Sequence, residues 1–154
     1  MSVEIRAATD ADIPTLVGLM TSFYAEADLP LPVAAATRAF QTLLADDRLG
    51  GVWLASIDGE PAGHVVLTVC FSMEYGGLRG FIDDLYVRSA VRRRGVAAGL
   101  LAAARVSAVE RGVRALHVEA GPDNQAAGQT YARAGYVDSG HVFLSLPLAE
   151  PVHA

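Results

Sequence analysis

Between Val52 and Val87 the chain is cut twice by turn chemistry into runs that alternate like strands. Val52 to Ile57 forms the first run, and Asp58-Gly59 follows it. An Asp-Gly pair suits the two left-handed residues of a type I′ hairpin. Ala62 to Met73 is a second, longer run, Tyr75-Gly76-Gly77 a second turn, and Leu78 to Val87 a third run. Turns this short join only antiparallel neighbours, so the middle of the chain is predicted to be an antiparallel meander.

The flanks read differently. Val3 to Ala7 is a short strand. Thr9, Asp10 and Asp12 offer capping oxygens before Ile13, Leu16, Val17, Leu19, Met20, Phe23 and Tyr24, which recur at helical spacing. Pro30 and Pro32 stop that helix, and Ala34 to Leu44 makes a shorter one. Beyond the meander, Arg92 to Arg111 is a long helix closed by Gly112. Ala115 to Ala120 is a strand, Asn124 to Ala134 a helix ended by Gly135, and Tyr136 to Leu146 one or two last strands with a break near Ser139-Gly140. The crossover from Val87 to Ala115 joins parallel neighbours. The expected fold is α/β: one domain over residues 1–154, with a mostly antiparallel twisted sheet of six to seven strands flanked by four helices.

Composition removes whole classes of function. A length of 154 residues suits a single domain, and 52% hydrophobic residues can supply its core. The net charge of −5 excludes general nucleic-acid binding and favours a cationic small molecule. There is no lysine, so Schiff-base chemistry is excluded. The single cysteine, Cys70, permits neither an internal disulfide nor a cysteine metal site, which fits a reducing cytoplasm. It lies in an apolar strand and is expected to be an inert thiol. His64, His117, His141 and His153 lack ligand spacing, so no metal is expected. Met1 to Asp10 carries acids and no apolar run, so no secretory signal is expected. Val96 to Val109 is broken by Arg105 and too short for a bilayer, so no membrane partner is expected.

Chemistry concentrates where the third run meets the long helix. Val87-Arg88-Ser89-Ala90-Val91-Arg92-Arg93-Arg94-Gly95-Val96-Ala97 takes a strand through an arginine-rich loop into a helix that begins on small residues. Free N–H groups at a helix start, with the helix dipole behind them, make an anion site. Gly95 and Ala97 let a phosphate approach the backbone, and the arginines raise the local potential. This segment resembles motif A of the GNAT superfamily of N-acetyltransferases, (Arg/Gln)-x-x-Gly-x-(Gly/Ala), read as Arg92, Gly95 and Ala97. Serine stands at position 89, where the family often has proline.

A second segment, Asn124-Gln125-Ala126-Ala127-Gly128-Gln129-Thr130-Tyr131-Ala132-Arg133-Ala134-Gly135-Tyr136, resembles the family's Asn-x-x-Ala-x-x-x-Tyr-x-x-x-Gly-(Phe/Tyr). The resemblance spans nearly the whole chain. It implies acetyl-CoA as co-substrate. The pyrophosphate would rest on Arg92, Arg93, Arg94, Gly95, Val96 and Ala97, and the pantetheine arm on Leu85, Tyr86, Val87 and Asn124. It implies that Tyr131 binds the thioester end and protonates the departing thiolate. It also allows a homodimer in which the apolar tail Val142 to Leu148 pairs across an interface.

Ile82-Asp83-Asp84-Leu85-Tyr86-Val87 places two carboxylates inside an apolar strand, which is costly unless they have work to do. Acids on this strand resemble those of family members that acetylate small amines. A carboxylate there can hold an ammonium group and take its proton. Asp84 is expected on the acceptor face and Asp83 is the second candidate; a bulge would reverse the facing. Phe23, Tyr24, Glu26, Phe71, Met73, Glu74 and Tyr75 are candidates for the acceptor wall, and Phe23 and Phe71 are also candidate core residues. Glu119 and His117 share a strand face and read as structural. The expected function is acetyl transfer to a primary amine of a small molecule. The rivals are a protein or peptide amine, and an acyl-CoA binder without catalysis.

Overall fold

The computed structural model describes residues 2–154; Met1, the first residue of the segment read as lacking a secretory signal, lies outside them. Strand β1 (Val3–Ala7) leads through a short turn of 3-10 helix into α1 (Ile13–Glu26) and α2 (Val33–Ala45). Asp12 sets the entry to α1. Its carboxylate takes the backbone N–H of Thr9 at 2.8 Å and two N–H groups of Arg6 at 2.7 and 2.8 Å. This paired carboxylate is held far below the usual range, chiefly by the Arg6 guanidinium.

The meander forms as expected, with β2 (Gly50–Ile57), β3 (Glu60–Ser72) and β4 (Gly77–Val87). Asp58 and Gly59 take φ of 49° and 85°, the pair of left-handed residues that a type I′ turn requires. Helix α3 (Val96–Glu110) then crosses to β5 (Leu116–Val118), and α4 (Gln125–Arg133) follows. The sheet order is β1-β2-β3-β4-β5, antiparallel throughout except that β5 runs parallel to β4.

Alternation along the strands builds two cores. Val52, Leu54, Val66 and Tyr86 face α1 and α2, packing on Leu16, Met20, Ala36 and Phe40. Ala55, Ile57, Val65 and Ile82 face the other way, onto Val96, Leu100, Leu101 and Ala104 of α3. Mixed sheet and four helices stand as read, but the sheet has five strands rather than six or seven. Residues 136–146 form no strand, and their large apolar side chains from Val137 to Leu146 stay exposed. A strand needs a neighbour to take its N–H and C=O groups, and no edge is paired with this segment. Helix α3 also begins at Val96, four residues after the Arg92 start read from the sequence, because Arg93 and Gly95 take left-handed φ values of 64° and 80° that an α-helix does not contain.

Candidate active site

One extra residue in β4 organises the site. Tyr86 pairs with His64, Leu85 with Val65 and Asp84 with Val66, but the next pair is Ile82 with Leu67. Asp83 is left without a partner, a β-bulge. Ile82 and Leu85 therefore both face α3 although they are three positions apart. Residues directly opposite across a ladder share a face, so Asp84 lies with Val66 and Tyr86 on the side of α1 and α2.

The bulge also ends the pairing with β5. That ladder holds Gly80, Phe81 and Ile82 against Leu116, His117 and Val118 and goes no further. Beyond it the two strands part, and among the described residues no strand pairs with this side of residues 83–87. The N–H of Arg88 donates to Ala62 O at 2.9 Å. Bonded and non-bonded pairs alternate in an antiparallel ladder, so Leu85 and Val87 turn their N–H and C=O groups into this gap.

Asp84 is half-buried near the gap, and burial with the neighbouring Asp83 charge pushes its carboxyl up to about 7. Burial also raises Asp83. Tyr24 of α1 and Tyr131 of α4 are raised first by burial and then by the Asp84 charge, so both hydroxyls sit within its field. Tyr131 packs edge-on against Tyr136, ring centroids 5.8 Å apart. Asn124 caps α4, its Oδ1 accepting the N–H of Ala127 at 3.1 Å, so the helix start takes the amide oxygen.

At the mouth of α3, Gly95 is the N-cap residue with φ of 80°, and no side chain caps the helix. A Cβ built on Gly95 would meet nothing within 4 Å, so the space in front of the first-turn amides is open. Arg93 takes φ of 64°, a left-handed conformation that costs a non-glycine residue about 1 kcal/mol and recurs at ligand sites. An uncapped helix start with open space, beside a strand that turns the backbone groups of Leu85 and the N–H of Val87 outward, fits a diphosphate on an extended arm.

The Arg92 side chain, expected at the phosphates, turns the other way. Its Nε donates to Val87 O at 2.9 Å, and one terminal nitrogen reaches both Glu26 oxygens at 2.6 and 2.7 Å. The guanidinium also lies 5.8 Å from the Tyr86 ring centroid. Glu26 is therefore partnered by a residue of the loop that precedes α3. A cleft of about 490 Å³ lies here, lined by Ser22, Ala25, Glu26, Tyr86, Arg88, Ser89 and Ala90.

The expected acceptor wall comes together only in part. Phe23 stacks on Tyr86 at 5.4 Å and meets Tyr24 edge-on at 5.7 Å. Phe71 pairs with Leu78, on the sheet face opposite Asp84, and is exposed. The odd spacing from Val66 puts it there, so it belongs neither to this wall nor to the core. Met73 is exposed, and Glu74 lies in the turn near His117, which burial and the Arg79 charge hold below its ordinary value against the smaller opposing pull of Glu74. Cys70 is exposed rather than sunk in an apolar strand.

Other residues join the Asp84 face unannounced. Phe81 lies 5.3 Å from the His117 ring and Arg79 sits 5.3 Å over Phe81. Register with Thr68 and Cys70 places them there, a signal that strand alternation could have given. His64 is fully buried between Phe40 and Tyr86, and burial lowers it to about 4. His153 rests on Tyr24, ring centroids 5.7 Å apart, a contact that no spacing in the sequence signals. Among the described residues no cluster of histidine, cysteine or carboxylates could hold a metal, and no helix is long and apolar enough to cross a membrane.

A family model described as the acetyltransferase (GNAT) family matches residues 16–136. An integron cassette protein from the mobile metagenome of Cole Harbour Salt Marsh is 45% identical, with a TM-score of 0.91 over 97% of this chain and 93% of that one. Aminoglycoside N-acetyltransferase AAC(6')-Iy, solved in complex with CoA, is 19% identical with a TM-score of 0.82 over 96% of each chain. A ribosomal-protein-alanine N-acetyltransferase from Brucella melitensis biovar Abortus 2308 is 21% identical, TM-score 0.75, over 94% of this chain and 99% of that one. None of the curated proteins matches.

Proposed function

Because the chain belongs to the acetyltransferase (GNAT) family, we propose that it moves an acetyl group from acetyl-CoA to a primary amine of a small molecule, by direct attack in a ternary complex. The observation that carries this reading is Asp84, a half-buried carboxyl held near 7 beside the gap where β4 and β5 part. An alkylammonium titrates near 10, so an amine must lose its proton before it can attack. A base near 7 is ionised often enough at neutral pH and still accepts a proton, directly or through water.

Bound acetyl-CoA supplies the activated acyl group as a thioester. The chain's own residues do the rest. The open amides at residues 95–97, with Arg93 and Arg94 beside them, hold the diphosphate. Arg92 contributes through its backbone, since Glu26 engages its side chain. The outward backbone groups of Leu85 and the N–H of Val87, with Tyr86 between them and Asn124 at the start of α4, align the pantetheine arm. A backbone N–H of residues 85–87 polarises the reacting carbonyl. Asp84 takes the proton of the amine, and Asp83 adds negative charge that favours a cationic acceptor. Tyr24, with Phe23 behind it, borders the acceptor. Tyr131 donates its hydroxyl proton to the leaving thiolate; burial holds this phenol above its ordinary value and so further above a thiol's usual value of about 8.5, which makes this a step governed by position. No metal enters the scheme, and a reducing cytoplasm suits the exposed thiol of Cys70.

CoA release with a panel of polyamines, aminoglycosides, amino acids, amino sugars and N-terminal peptides tests the reading. Turnover should be confined to small amines. Turnover with peptides alone, as the name of the Brucella neighbour suggests for that protein, would move the assignment to protein amines. CoA binding without turnover would reduce the chain to an acyl-CoA binder.

A further inference from the structure

Helices α1 and α2 cover only part of the sheet face that carries Asp84. Their core takes in Val66 and Tyr86 and stops there. Past Asp84 the same face continues through Thr68 and Cys70 of β3, Phe81 and Arg79 of β4, and His117 of β5, paired in register. None of these residues is buried.

Their side chains form a cluster. The Arg79 guanidinium lies 5.3 Å from the centre of the Phe81 ring, so it folds back along β4 towards Asp84. The His117 ring lies 5.3 Å from Phe81 and 5.9 Å from Tyr75. A guanidinium laid on an aromatic ring is already ordered and keeps its edge N–H groups for a planar oxyanion.

Arg79 finds no such anion within the chain. Asp12, Asp46 and Glu26 pair with Arg6, Arg48 and Arg92, but among the described residues no carboxylate pairs with Arg79. Its Nε and the Nε2 of His117 are both shut off from solvent without a hydrogen-bond partner. An arginine nitrogen can only donate, so the group that satisfies it is an acceptor oxygen. His117 is held below its ordinary value by burial and then by Arg79, so it adds a neutral ring rather than a second charge.

The spacing to Asp84 sets the size of a bridging molecule. Asp84 and Phe81 stand opposite Val66 and Thr68, two positions apart on β3, which is roughly 7 Å of strand. A molecule about as long as two extended residues spans that distance. A carboxylate presents two oxygens to the guanidinium fork. A polyamine would bring a second ammonium against Arg79 and be repelled.

We propose that Arg79, laid over Phe81 beside His117, binds a carboxylate of the acceptor, so that the amine acetylated at Asp84 is the far end of an ω-amino acid. The choice of amine rests on the proposed acetyl transfer; the carboxylate site can be tested without it.

CoA release by the full chain is measured with aminohexanoate, hexylamine and diaminohexane, which share one carbon chain and differ at its far end. The kcat/KM should be about tenfold to a hundredfold higher for aminohexanoate, as for a charged hydrogen-bonded pair. Arg79→Gln should bring that ratio down towards one, the loss carried by KM. Arg79→Lys should restore only part of it, because an ammonium lacks the fork. A second readout needs no turnover. Cys70 is exposed, stands opposite Arg79 across the ladder and is the single cysteine of the chain. Excess hexanoate, a carboxylate without an amine, should slow alkylation of Cys70 by a neutral reagent in the wild-type protein and not in Arg79→Gln. Equal or better turnover of hexylamine or diaminohexane overturns the carboxylate site and leaves acetyl transfer intact. A preference for aminohexanoate that survives in Arg79→Gln also overturns it, by placing the carboxylate elsewhere. Protection of Cys70 by hexanoate with no amine turned over upholds the site and overturns the proposed function.

Discussion

Replacing Asp84 by asparagine should make the protein more stable and less active, and the two effects should share one pH dependence. The carboxyl rises from an ordinary 3.8 to about 7 on folding. That is about three decades, and at about 1.4 kcal/mol per decade the ceiling on the effect is ~4 kcal/mol. The folded state binds this proton more tightly than the unfolded chain does. The contribution is therefore fully present below pH 3.8 and lost as pH rises through about 7. Asparagine carries no charge to desolvate, but its amide still needs partners, so about half the ceiling, ~2 kcal/mol, is the expected gain at pH 8. For a chain of this length ~2 kcal/mol is roughly 4–8 °C in Tm. The gain should shrink towards zero as pH falls from 8 to 5. Loss of the base should lower kcat/KM by about 10²–10⁴ and remove the inflection near 7 from its pH profile. Melting scans at pH 5, 6, 7 and 8, with CoA release on the same samples, decide the matter. A variant less stable than wild type at pH 8, or a gain independent of pH, refutes the burial argument. A stabilised variant with full turnover refutes the catalytic one.

Gly95→Ala forces a Cβ onto a residue at φ of 80° and into the space before the helix amides; CoA affinity measured calorimetrically should fall about tenfold, with stability down by ~1 kcal/mol. Glu26→Gln should release the Arg92 side chain towards the loop, so CoA should bind several-fold tighter, while stability changes by less than ~1 kcal/mol because both groups are nearly half exposed. Phe71→Ala should leave KM for the amine unchanged, since the side chain is on the far face from Asp84. Asp12→Ala should destabilise the fold by ~2 kcal/mol, read by urea titration at pH 7, through loss of the charged bonds to Arg6 and the Thr9 N–H.

The meander was legible because its turns are chemically forced. Asp58-Gly59 and Tyr75-Gly76-Gly77 leave little choice of conformation, and the strands between them alternate. The helix mouth was legible for a similar local reason, since Gly95 is needed at a left-handed position ahead of a run of small residues. What escaped the sequence depends on partners distant along the chain. The apolar run after Tyr136 reads as a strand, but pattern alone supplies no neighbour for it. The Arg92 side chain pairs with Glu26 across 66 positions, and His153 finds Tyr24 from the far end of the chain. Phe71 was misplaced by one step of strand parity, an error that changes which side of the sheet a residue serves.

The bulge at Asp83 links the two halves of the proposed chemistry. Without the extra residue, Asp84 would share a face with Ile82, turned onto the α3 core, where no amine could reach it. The same extra residue bends β4 where its pairing with β5 stops, between Ile82 and Asp83. One insertion therefore aims the carboxyl at the acceptor side and exposes the backbone groups of Leu85 and Val87 to the donor. Neither effect is useful alone: a gap without the acid holds a thioester with nothing to deprotonate its attacker, and an acid without the gap is a buried charge with no task. Such a residue looks wasteful in an apolar strand, and the adjacent pair Asp83-Asp84 is how that double duty shows in the sequence.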